Sequence, residues 1–188
     1  MNILLFGMMG SGKSSVGRLL AEKLGYRFVE LDKLILKHTG YESVQAVFAD
    51  RISIWKEAEL ELCKDLCSSD NQVIACGGGF LDNELNLTYF AESKVDYEAV
   101  YLYCNEKLLA QRVHIRSKLA AGNISAPAKV TKHRITKNIA GIFPQRDAKY
   151  RLHADHVVST ESSDLEETCQ EIMALLPRDG DQTWVKSL

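Results

Sequence analysis

Gly7-Met8-Met9-Gly10-Ser11-Gly12-Lys13-Ser14-Ser15 stands between a short apolar run, Asn2-Ile3-Leu4-Leu5-Phe6, and a stretch with helical periodicity. The spacing G-x-x-x-x-G-K-S at a strand-to-helix junction is the phosphate-binding loop pattern. Glycines at 7, 10 and 12 let the backbone curl tightly and approach an anion. The N–H groups that follow open a helix, whose dipole favours negative charge. Lys13 is placed to reach the β- and γ-phosphates of a nucleotide, and Ser14 to ligate Mg²⁺. Gly10, Ser11, Gly12, Lys13, Ser14 and Ser15 are therefore the expected nucleotide-binding residues.

Working outward, the helix carries Val16, Leu19, Leu20 and Leu24 at helical spacing and is expected to stop at Gly25. Tyr26–Asp32 reads as a second strand ending in carboxylates. Helical stretches follow at Lys33–His38, broken by Thr39-Gly40, then at Val44–Phe48 and Ile54–Cys67. Gln72–Cys76 reads as a buried strand closed by Gly77-Gly78-Gly79, with a helix around Glu84–Phe90 after it. Ala99–Tyr103 is a fourth strand, and a helix begins over Glu106–Arg112. Ile139–Tyr150 reads as a helix interrupted at Pro144, His156–Ser159 as the last strand, and Asp164–Leu176 as a closing helix. Alternating strands and helices predict an α/β fold, three layers (α/β/α) around a central five-stranded parallel sheet with right-handed crossovers. Ligands in such a sheet bind beyond the C-terminal strand ends, where the phosphate loop, Asp32 and the triple glycine all fall.

The 188 residues suit one domain, expected over 1–177, with a frayed tail at 178–188. A formal net charge of −2 offers no basic field for nucleic acid, and no apolar run approaches a membrane span. No basic segment precedes the first strand, so no secretory leader is expected and a cytoplasmic protein is. Cys63, Cys67, Cys76, Cys104 and Cys169 are read as reduced, packing thiols. Between 113 and 138 the character changes. The turn-prone stretch from Ala120 to Pro127 lies among Arg116, Lys118, Lys129, Lys132, Arg134 and Lys137, as expected of a mobile basic lid.

Glu30 and Asp32 lie one residue apart, and on a strand they share a face. Glu30 is expected to hold the water shell of Mg²⁺. Asp32 is expected to take a hydrogen bond from the hydroxyl under attack, and its proton. The competing reading is a pair of solvated acids, or Asp32 as a helix cap. Gly77-Gly78-Gly79 predicts that another molecule comes close to the backbone. Arg112, or residues near Arg151 and Thr160, are candidates to flank a nucleotide base.

With these residues in view the chain resembles the shikimate kinases. Gly17-Arg18-Leu19-Leu20-Ala21 matches the family's G-R-x-L-A, and Phe28-Val29-Glu30-Leu31-Asp32-Lys33-Leu34-Ile35 its F-x-D-x-D-x-x-I. Thr39-Gly40 matches a T-G pair. Trp55-Lys56-Glu57-Ala58-Glu59 matches F-R-x-x-E, and Ala75-Cys76-Gly77-Gly78-Gly79 matches A-T-G-G-G. Arg146-Asp147-Ala148-Lys149-Tyr150 with Ala154-Asp155 matches R-x-P-L-Y followed by A-D. The resemblance implies a P-loop kinase fold with a mobile lid. It further implies transfer of phosphate from ATP, with Mg²⁺, to the 3-hydroxyl of shikimate on the route to chorismate and aromatic amino acids. It gives Lys13, Asp32 and Arg116 as catalytic, with Arg116 also on the nucleotide. Asp32, Lys56, Gly77, Gly78, Gly79 and Arg146 would hold the acceptor, and Ser14 and (through water) Glu30 the metal. The implied partners are ATP and shikimate, with no nucleic acid or membrane, and a monomer is expected. Other readings are a related kinase for another hydroxy acid such as gluconate, or a non-catalytic ATP-binding module.

Several positions depart from the family pattern. Lys56 stands where the family has arginine and lacks the planar fork that grips a carboxylate, a difference of about 1.5–3 kcal/mol for one good charged hydrogen bond. Arg51-Ile52-Ser53 replaces a glycine–glutamate pair that buttresses that arginine. Glu30 replaces an aspartate. The lid opens Arg116-Ser117-Lys118-Leu119 without the family's proline, which leaves Lys118 and Arg134 as rivals to Arg116.

Overall fold

Apolar runs separated by crossovers of twenty or more residues have the connection length that parallel pairing requires, and five of them pair that way. The computed structural model describes residues 1–121, 132–161 and 164–177. The strands are β1 (Asn2–Phe6), β2 (Arg27–Glu30), β3 (Gln72–Ala75), β4 (Tyr97–Tyr103) and β5 (His156–Ser159), in the order β2-β3-β1-β4-β5. All four pairings are parallel.

Alternation along the strands feeds two cores, one on each face. Leu4, Phe6, Ile74 and Tyr101 point to one side, and Ile3, Leu5, Val73, Val100 and Leu102 to the other. The second face is covered by α1 (Lys13–Leu24) and α8 (Leu165–Leu175) through Val16, Leu20, Cys169 and Ile172. The first is covered by α2 (Leu31–Thr39), α3 (Val44–Asp50), α4 (Ile52–Leu66), α5 (Leu85–Ala91), α6 (Glu106–Ala121) and α7 (Lys132–His153). The three-layer α/β/α expectation is met. A sheet buried on both faces explains why its strands read as continuous apolar runs.

Two local expectations change. The second strand ends at Glu30, and Leu31 opens α2 because Leu31 and Ile35, four apart and fully buried, are anchored in one core. Glu30 and Asp32 are thus not two pleats of a strand. Glu30 precedes the helix and Asp32 sits in its first turn. Helix α7 also runs unbroken through Pro144. Proline forfeits one backbone hydrogen bond, at about 3 kcal/mol, but buried Ile135, Ile139 and Tyr150 hold the helix down on both sides of it.

All five cysteines are free and buried, as expected of packing thiols. Among the described residues no helix is long and apolar enough to cross a membrane. The centre of the expected lid, 122–131 with Pro127 and Lys129, and the tail 178–188 lie outside the described residues.

Candidate active site

The site begins with the backbone between β1 and α1. Gly7, Gly10 and Gly12 have φ of 148°, 90° and 98°, where a side chain would be strained. A Cβ on Gly7 would stand 2.5 Å from Ser11 Oγ and 2.9 Å from the Leu102 carbonyl. The Ser11 N–H donates to the Met8 carbonyl (3.1 Å) and closes the loop, while the Ser15 N–H is spent on Gly12 (3.0 Å). The N–H groups between them open α1, where no carbonyl lies one turn earlier to accept them.

Lys13 Nζ donates to the carbonyls of Gly7 (2.7 Å) and Met8 (3.0 Å). An ammonium has three donors, so one is left for an anion lying over the loop. Burial lowers the Lys13 pKa to about 8, opposed by the carboxylate of Asp32. Ser14 Oγ donates to Glu30 Oε1 (2.9 Å), and Lys33 holds Glu30 Oε2 (2.6 Å). Burial works to raise the Glu30 pKa, but the hydrogen bonds from Lys33 and Ser14 outweigh it and leave the group more acidic than usual. A hydroxyl and an ionised carboxylate side by side are hard oxygen donors of the kind Mg²⁺ takes alongside phosphate and water.

Beyond the loop, Gly77-Gly78-Gly79 faces it, since a Cβ on Gly78 would lie 3.9 Å from the Met9 nitrogen and 4.0 Å from the Gly7 carbonyl. The Asp32 carboxylate lies against Gly77, and any Cβ there would collide with Asp32 Oδ1. Burial raises the Asp32 pKa, Lys13 pulls it down, and Glu30 adds a smaller upward push. Glu59, 3% exposed, also comes to Gly77, its Oε1 3.6 Å from the same Cβ position, and its Oε2 accepts from Asn86 Nδ2 (2.7 Å). Burial pushes Glu59 up to about 7, with the hydrogen bond from Asn86 opposing. Cys76, directly under the glycines, is fully buried and its thiol is pushed well up by burial, which makes it a packing group.

Arg146 reaches the same turn from α7. Its Nη1 would lie 3.4 Å from a Cβ on Gly78 and its Nη2 3.2 Å from one on Gly79. Nη2 also donates to Asp82 Oδ2 (2.8 Å), on the short 3₁₀ turn Phe80–Asp82. Tyr150, one turn along α7, donates its hydroxyl to the Gly78 carbonyl (2.6 Å), stacks on Phe6 (6.4 Å) and packs at a tilt against Tyr101 (4.9 Å). An aromatic column therefore fixes the glycine turn to the central strand.

The expected residues do not all converge. Lys13, Ser14, Glu30, Asp32, Gly77, Gly78, Gly79 and Arg146 share the one strand-end surface. Lys56 is exposed on α4, and its side chain has no hydrogen bond or ion pair among the described residues. Arg116, Lys118 and Arg134 are exposed on α6 and α7. One turn before Arg116, Arg112 is drawn in: Nη1 donates to Thr160 Oγ1 (3.2 Å) and reaches toward the Gly10 carbonyl (3.5 Å), and Nη2 donates to the Thr160 carbonyl (2.5 Å). Two of the three candidates for the base thus meet beside the loop. The third, Arg151, lies over the Tyr103 ring (4.9 Å) and pairs with Asp147. Sequence reading did not assign Asp82, Asn86 or the Tyr150 hydroxyl. Of these only Tyr150 had a signal, its place in the R-x-P-L-Y match.

Comparison with known proteins identifies the family. The family model described as shikimate kinase matches residues 9–177. A shikimate kinase of Dehalococcoides mccartyi is 31% identical over 172 residues, covering 91% of this chain and 90% of its own. A solved shikimate kinase from Acinetobacter baumannii, in complex with shikimate, superposes with a TM-score of 0.77 at 28% identity, covering 93% of this chain and 91% of that one. A gluconokinase from Sinorhizobium meliloti shares the fold at 20% identity, with a TM-score of 0.56 and coverage of 92% of this chain and 89% of that one. The chain belongs to the shikimate kinase family.

Proposed function

We propose that the chain transfers the γ-phosphoryl group of ATP to the 3-hydroxyl of shikimate, giving shikimate 3-phosphate and ADP. The observation that carries this reading is the triple-glycine turn. It has the Asp32 carboxylate against Gly77 and the Arg146 guanidinium over Gly78 and Gly79, and it faces the phosphate loop. A hydroxyl-binding carboxylate at one end and a carboxylate-binding cation at the other suit a small hydroxylated acid.

In this reading the loop from Gly10 to Ser15 holds the ATP phosphates, with the remaining Lys13 N–H on the β- and γ-oxygens. Ser14 and Glu30 hold Mg²⁺, Glu30 through water; when bound, the ion neutralises charge on the phosphate oxygens. Arg112 with Thr160 flanks the base. Arg146 and the Gly78 N–H fix the acceptor carboxylate, and Lys56 reaches it from α4. Asp32 orients the attacking hydroxyl and takes its proton as the new P–O bond forms and the β–γ bridging bond breaks. Its burial and raised pKa suit a group that receives a proton. Arg116, one turn beyond Arg112 on the same side of α6, meets the transferred group within a lid over 113–138. Positioning and electrostatics, rather than covalent chemistry, supply the rate in such transfers. The buried thiols fit a reducing cytoplasm, and the chain acts as a monomer.

The test is a coupled ADP-release assay with Mg·ATP, run with shikimate, with gluconate and with no acceptor. Shikimate is expected to raise the rate by orders of magnitude. A larger response to gluconate, or none to either acid while ATP still binds, overturns the assignment.

A further inference from the structure

Arg146 is the cation expected to grip the acceptor, yet it already carries a carboxylate. Asp82 Oδ2 lies 2.8 Å from Arg146 Nη2, and both groups rest on the glycine turn, with a Cβ on Gly79 falling 3.1 Å from Asp82 Oδ2 and 3.2 Å from Arg146 Nη2. The Asp82 side chain is 47% exposed and that of Arg146 25%. The pair thus lies open to the face from which an acceptor arrives. Among the described residues only one guanidinium nitrogen is engaged. Nη1 stays over Gly78, so the contact is a single point and not the bidentate fork of a structural pair.

The backbone beneath Asp82 is fixed while its side chain is not. The Phe80 N–H donates to the Gly77 carbonyl (3.0 Å), the Asp82 N–H to the Gly79 carbonyl (2.8 Å), and Lys149 Nζ to the Leu81 carbonyl (3.1 Å). The carboxylate can leave Arg146 by a side-chain rotation into solvent, with the turn unmoved. Meanwhile Lys56, the other cation assigned to the acceptor carboxylate, stands exposed on α4.

From this we infer that Asp82 is a specificity-determining residue, an internal carboxylate that occupies Arg146 and that the acceptor's own carboxylate must displace or share. The inference rests on the acceptor reading above. Asp82 sets how strongly an anionic acceptor is held, because an incoming carboxylate meets a nearly neutral pair instead of a bare guanidinium. A neutral acceptor gains nothing from displacing it.

The experiment is calorimetric titration of shikimate and of its uncharged methyl ester into wild type, Asp82→Asn and Asp82→Glu, with turnover followed in parallel. Asp82→Asn is expected to bind shikimate about fivefold more tightly, the scale of one partly exposed ion pair. Binding of the methyl ester should be unchanged in all three proteins, and Asp82→Glu should bind shikimate like wild type. Shikimate binding unchanged or weakened in Asp82→Asn overturns the inference and makes Asp82 a support for Arg146. An equal gain for acid and ester also overturns it, because the effect is then not one of charge. Wild type that neither binds nor turns over shikimate defeats the acceptor reading instead. The inference then falls too unless Asp82→Asn gains shikimate binding, which upholds it alone.

Discussion

The two halves of the site are built from different material. The donor half is backbone: three left-handed glycines, a helix start and two loop carbonyls holding Lys13. The proposed acceptor half is mostly side chains, brought around the glycine turn from four separate elements, namely Asp32 on α2, Glu59 and the exposed Lys56 on α4, Asp82 on the 3₁₀ turn and Arg146 on α7. Backbone geometry survives substitution of most neighbouring side chains, so the phosphate loop keeps the full family pattern, and the donor half departs from it at a side chain, Glu30. Every departure from that pattern noted on α4 or in the lid falls on the acceptor half or on what closes over it. If the contrast is functional, affinity for ATP and choice of acceptor should respond separately to substitution.

The sharpest way to break the contrast is Asp32→Ala. Removing the group proposed to orient the hydroxyl and take its proton should cut shikimate-dependent ADP release by about 10³-fold, within the usual span for a lost general base. ATP affinity should stay close to wild type, since the loop does not depend on that carboxylate for its shape. Steady-state kinetics with an ATP titration separates the two. If ATP affinity falls in step with turnover, the halves are one unit.

A second test lies beneath the acceptor half. Glu59 is buried beside Gly77 with a folded pKa of about 7, above its ordinary 4.5. Such a group stays protonated in the fold while the unfolded chain releases the proton. Stability is therefore fully present below about pH 4.5, falls as pH rises toward 7, and is flat above it. The expected loss across that window is about 3 kcal/mol, from roughly 1.4 kcal/mol per pKa unit. Glu59→Gln keeps an acceptor for Asn86 but cannot ionise, so its urea midpoint should fall less than that of wild type between pH 5 and pH 7, below the range in which Lys13 loses its proton. Parallel pH profiles would mean that Glu59 is charged in the fold.

The same division governs what sequence could reveal. Strand periodicity and glycine spacing are local, so β1, β5, the phosphate loop and the meeting of Gly78 with that loop were all legible. The boundary at Leu31 was not, because Glu30 and Asp32 satisfy a strand period equally well and only the burial of Leu31 and Ile35 decides for a helix. Pro144 misled for a similar reason: its local penalty is real, and packing 70 residues or more away in sequence outweighs it, as in the Tyr150 to Gly78 hydrogen bond. Asp82 and Asn86 carried no signal. An acid three residues after a glycine turn is ordinary, and its meeting with Arg146 spans 64 positions. Lys56 was legible as a departure, but its exposure was not.

That exposure makes Lys56 the subtlest probe of the acceptor half. A flexible, solvated ammonium contributes less to a carboxylate than a preorganised guanidinium, because it loses side-chain freedom on contact and offers no planar pair of donors. Lys56→Arg should therefore lower the shikimate KM by about threefold, with kcat unchanged, the scale of an exposed charge contact. Lys56→Ala should raise the KM by a similar factor. A KM indifferent to both changes would mean that Arg146 alone holds the acceptor carboxylate. The pairing of Arg146 with Asp82 would then govern the whole of that interaction, and Asp82→Asn should give a larger gain than the fivefold expected with Lys56 contributing. Combining Lys56→Arg with Asp82→Asn separates the cases: independent cations give multiplied effects on KM, whereas a single shared carboxylate oxygen gives less than the product.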